Sequence, residues 1–131
     1  FAGRLRMVEN LELGGVRLAL MHGHAGLFPY LWDKWKYWMY GYRLERYLPR
    51  LLSTSIQAQV VIFGHTHHPE TIWQDGKLLY NPGSASFGPV LGKPPTVGLL
   101  RIYPDGSLKP DTLPLHGYAI RDRNWEKIAR N

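Results

Sequence analysis

The chain has 131 residues, 44% of them apolar and 20% charged, the make-up of one globular domain or part of one and not of a fibrous or low-complexity protein. Without cysteine it can build neither disulfides nor thiolate metal sites. No signal-peptide pattern and no run of about eighteen apolar residues is present, so a cytoplasmic setting is expected, and the net charge of +6 favours anionic partners without choosing among them.

In chain order, Met7–Leu13 and Val16–Met21 read as strands around Gly14–Gly15, a two-residue hairpin signal. The second strand, VRLALM, is the more continuously apolar. It runs into His22-Gly23-His24. Phe28–Tyr47 is aromatic-rich and long enough for a helix; Leu31, Trp35, Trp38 and Tyr42 fall on one face, with Pro29 near its start and Pro49 near its end. Ala58–Phe63, AQVVIF, is a short buried strand that enters GHTHHP. Thr71–Trp73 and Lys77–Tyr80 flank Asp75–Gly76, a strong hairpin turn. Glycine and proline break Asn81–Pro95 into loop, Thr96–Tyr103 reads as a strand, Pro104–Gly106 as a turn, and Asn124–Arg130 as a short helix. Mostly strands with a helix or two, the order indicates an α/β or α+β fold.

Five of the six histidines lie at the ends of two apolar runs. A strand end mounts a side chain rigidly, and an adjacent glycine lets backbone and ligand approach. If the chain stays extended past Phe63, His65 and His67 point to one side. Two imidazoles meeting at one point can hold a divalent ion, and His22 joins them if its strand lies alongside. Imidazole suits Zn, Fe, Mn or Ni, so donor type does not name the metal. The bland alternative is a solvated loop of surface histidines.

MHGH, then GHTHHP, then YNPGS, in that order, resembles the calcineurin-like metallophosphoesterases, with the small YfcE-type phosphodiesterases as the branch it looks most like. The likeness runs from about Val8 to Tyr103. It implies the C-terminal half of an αββα sandwich carrying a two-metal centre, with residues 1–131 as a partial domain. Carried over, His22, His65 and His67 are metal ligands and His24 contacts the substrate or lies close beside it. Asn81 and Gly83, in NPGS, are substrate-side positions or the turn beneath the site. The resemblance further implies hydrolysis of a phosphodiester or phosphomonoester by water activated between two divalent ions. His68 is expected at the surface, and His116 has no role in the pattern.

The family's Asp-x-His, Gly-Asp and Gly-Asn motifs do not occur here, although the chain has ten acidic residues. Two adjacent dications without carboxylates repel one another, so this chain alone is expected to be inactive. A longer protein, of which this is a piece opening at Phe1, explains the departure most simply. A missing N-terminal half or pairing as a homodimer then covers the exposed sheet. Two other readings stand beside catalysis. The retromer's phosphoesterase-like subunit keeps similar motifs yet serves as a protein-binding platform. Phe28–Tyr47 holds nine of the seventeen aromatics, enough for a core-packed helix and also for contact with a membrane or an apolar substrate group. Nucleic-acid binding has sixteen basic residues in its favour but no recognition motif.

Overall fold

A computed structural model describes residues 8–22, 45, 48–86, 93–121 and 124–127. Its centre is a five-stranded sheet, ordered β1-β2-β3-β5-β4, in which β1 is Val8–Leu13, β2 Val16–Met21, β3 Val60–Phe63, β4 Glu70–Gln74 and β5 Lys77–Asn81. β2, β3 and β5 are parallel to one another; β1 and β4 are antiparallel edges. Both edges are hairpins with two-residue turns. Gly14 and Gly15 have φ of 57° and 76°, Asp75 and Gly76 51° and 74°. Positive φ at both central residues matches the right-handed twist of the flanking strands, which is why Gly-Gly and Asp-Gly sit there.

Alternation along the central strands sends side chains to two cores. Ala19, Val61, Phe63 and Leu79 face one side, where helix α1 (Leu48–Thr54) adds Leu48, Leu51 and Leu52 at i, i+3 and i+4. Val16, Leu18, Val60, Leu78 and Tyr80 face the other, where an antiparallel ribbon of β6 (Thr96–Ile102) and β7 (Leu108–Pro114) adds Leu100, Ile102 and Leu108. The described residues thus form helix, sheet and ribbon in three layers, a mixed α/β fold. A separate pair, β8 (Tyr118–Arg121) and β9 (Asn124–Lys127), completes the strands described.

Pro49 lies in the first turn of α1, where a proline lacks no helical bond. Two expectations change. Asn124–Lys127 is a strand paired with β8, not the start of a helix. The strand after Gln59 is shorter than AQVVIF, beginning at Val60. Met7, the helix read over Phe28–Tyr47 (Glu45 apart) and Ile128–Arg130 lie outside the described residues. Among the described residues no helix is long and apolar enough to cross a membrane.

Candidate metal and phosphate site

Because β2 pairs with β3 in parallel, with Met21 opposite Phe63, and β3 pairs with β5 in parallel, three strands end on the same edge. Open parallel sheets bind ligands beyond such carboxyl ends. His22 follows β2, Gly64 and His65 follow β3, and Asn81 is the last residue of β5. The Gly64 N–H donates to Met21 O at 3.2 Å, extending the β2–β3 pairing one step beyond the strands. A Cβ on Gly64 would lie 3.7 Å from His22 Nδ1, so the His22 ring sits directly over this glycine.

The backbone then departs from extension. His65 has φ 74° and the Thr66 N–H donates to Gly64 O at 3.0 Å, which is a γ-turn of the rare positive-φ kind. His67 is left-handed as well, at φ 59°. The expectation that the chain stays extended past Phe63 therefore fails. A left-handed non-glycine residue costs about 1–3 kcal/mol and persists where its surroundings over-determine it, typically at functional sites. The turn swings His65 towards His22: their ring centroids are 5.3 Å apart, the planes inclined at 72°. An imidazole nitrogen binds zinc at about 2.0–2.1 Å, which places two centroids on one tetrahedral ion about 5.2 Å apart. The separation of the two rings, 5.3 Å, matches that spacing.

A full centre is not assembled by the described residues alone. His67 is exposed, and among the described residues no three His, Asp or Glu side chains gather as a metal-binding group. Two ions would need carboxylate bridges, which these residues do not supply. His24 lies outside the described residues. His68, expected at the surface, is half-buried; burial pushes its pKa below the ordinary histidine value, Glu70 works against that shift, and His67 adds to it.

NPGS follows β5. Asn81 is fully buried; its Nδ2 donates to Thr66 Oγ1 at 2.9 Å and its Oδ1 accepts from the Gly83 N–H at 2.9 Å. Gly83 has φ 82°, and a Cβ there would lie 2.0 Å from Thr96 Oγ1. Thr66, unremarked in the sequence, is thus the residue that ties the two motifs together. Its place between two histidines is the only sequence signal of that.

Cavities of about 510 and 610 Å³ open at the opposite end of the sheet. Their cations are already engaged with backbone carbonyls: Arg17 Nε donates to Gln57 O, and Lys77 Nζ to Ser55 O and Ile56 O.

The family model of the calcineurin-like phosphoesterase superfamily domain matches residues 1–104, most of the chain and both histidine motifs. The chain belongs to the calcineurin-like phosphoesterase superfamily. Among solved structures, Vps29 from Entamoeba histolytica, complexed with Zn²⁺, is 27% identical with a TM-score of 0.53, over 87% of this chain and 63% of that one. An uncharacterised protein from Streptococcus pneumoniae, described as a predicted phosphoesterase, is 22% identical with a TM-score of 0.59, over 99% and 65%. Vacuolar Protein Sorting 29 from Cryptosporidium parvum is 19% identical with a TM-score of 0.50, over 92% and 53%. This chain spans less than two thirds of the length of each of these structures. No curated protein gives a significant match.

Proposed function

We propose that the chain contributes half of the active site of a metal-dependent phosphoesterase that hydrolyses phosphodiesters or phosphomonoesters. The observation that carries this reading is the His22–His65 pair, 5.3 Å apart at the ends of adjacent parallel strands and set by a strained turn. His22 and His65 would hold a divalent ion, with His67 as the third donor of the motif. A bound divalent ion supplies polarisation of a phosphoryl oxygen and an acidified water. Beside it, His24 is assigned to the substrate side by the HGH motif alone. The Zn²⁺ complex of the Entamoeba protein supports zinc as one candidate, beside Mn, Fe and Ni. Hydrolysis of bis(p-nitrophenyl) phosphate and p-nitrophenyl phosphate with each metal, by the chain together with the other half of the site, tests the reading. His65→Ala should lower kcat/KM by about 100-fold; unchanged turnover would remove the histidine pair from the chemistry.

A second reading, a non-catalytic platform for protein binding, is favoured by the likeness to Vacuolar Protein Sorting 29 proteins. It expects no turnover with any of these metals, together with retained partner capture in His65→Ala.

A further inference from the structure

The two left-handed histidines are separated by one residue, Thr66. Its hydroxyl oxygen accepts the Asn81 Nδ2 hydrogen bond at 2.9 Å. At the other end of the same buried amide, Asn81 Oδ1 holds the Gly83 N–H. Both faces of the Asn81 carboxamide are therefore directed at the protein. The far side of this chain is also fixed: Thr96, the first residue of β6, donates from its hydroxyl to Pro82 O at 2.8 Å and from its N–H to Ser84 O at 2.9 Å. Hydrogen bonds run without a break from the ribbon, through NPGS, to the middle of GHTH.

A γ-turn centred on a histidine is not a conformation the local sequence prefers, so something outside the turn must select it. Thr66 is where the outside reaches in. We propose that Asn81 is a positioning residue which, through Thr66, holds the GHTH turn so that the His65 ring meets the His22 ring, and that it does not itself touch the phosphate ester. The direction of the Nδ2–Oγ1 bond matters: the amide must donate and the hydroxyl accept. An isosteric side chain without oxygen at position 66 would leave a buried amide hydrogen unpaired and release the turn.

The inference rests on the metal-site reading only for its affinity arm. Contact between the two rings is measured without metal, as the nuclear Overhauser effect between His22 and His65 ring protons in the full chain. Thr66→Val should abolish that effect and weaken Zn²⁺ binding by about tenfold, the scale seen when a partner one step from the metal is lost. Thr66→Ser, which keeps the acceptor, should restore both, and Asn81→Ala should repeat the valine result. Thr66→Ala serves in place of Thr66→Val if the latter does not melt cooperatively. The proposal is overturned if the oxygen-free variant keeps the ring contact, or if Thr66→Ser loses it equally. A native chain that shows the ring contact but binds no Zn²⁺ would sink the metal reading, and the ring contact alone would then decide the clamp.

Discussion

His65 is held against its own backbone preference, and that conflict can be measured. Glycine at position 65 adopts φ 74° without the steric penalty, so His65→Gly should raise stability by about 1 kcal/mol while removing the imidazole. His65→Ala loses the imidazole but keeps most of the penalty, so urea unfolding of the two variants separates strain from side-chain contacts. A lower stability for the glycine variant than for the alanine one would mean the turn is not strained. Gly83 presents the reverse case. Alanine there faces both φ 82° and a contact of 2.0 Å with Thr96 Oγ1, and should cost about 2–4 kcal/mol by the same equilibrium unfolding. Tyr80 supplies the pH dependence. Its buried hydroxyl donates to Asp111 O at 2.7 Å, and burial raises its pKa above the ordinary phenol value. With the folded pKa above the unfolded one, this contribution is whole below about pH 10 and is lost as pH rises through the folded pKa. Tyr80→Phe should lose about 1 kcal/mol at pH 8 and show a smaller further fall at pH 10.5.

At the scale of elements, α1 owes its place to three leucines and not to length. Seven residues are too few for a helix to hold itself in water, so tertiary packing holds it. Leu51, 1% exposed, sits in the core beneath it. Leu51→Ala should cost about 2–5 kcal/mol in thermal or denaturant unfolding, with the spread set by how far Ala19, Val61 and Leu79 close over the gap. The hairpins were legible from the sequence because Gly-Gly and Asp-Gly impose their turns locally. The strand β3 was legible because its apolar run is buried on both faces. β7 was not: Leu108–Pro114 carries two prolines, tolerated because a two-stranded ribbon leaves each strand one free edge. The pairing of Asn124–Lys127 with β8 was hidden for another reason, since four residues carry no decisive period and a partner made the choice. At the site, histidine spacing pointed to His65 and His67 converging along an extended chain, with His22 joining from a neighbouring strand; the structure instead brings His65 to His22 and leaves His67 exposed. Spacing could not show the γ-turn, because that backbone is selected by contacts and not by histidine's own propensity.

For the molecule as a whole, the site depends on topology more than on any single motif. Parallel pairing of β2, β3 and β5 puts three strand ends on one edge, and the α1 and ribbon layers bury both faces of the sheet behind them. That arrangement turns residues 43 positions apart in the chain, His22 and His65, into neighbours. Superfamily membership accounts for the arrangement, while the described residues assemble a histidine pair and no carboxylate cluster. The central claim is therefore that His22 and His65 act as one metal-binding unit. The most direct test is a double-mutant cycle of Co²⁺ binding, read from visible absorption, on the native chain, His22→Ala, His65→Ala and the double variant. Each single substitution should weaken binding at least about tenfold, and the double variant should be little worse than either single one. Binding that survives both substitutions, or losses that simply add, would contradict a shared ion between the two rings.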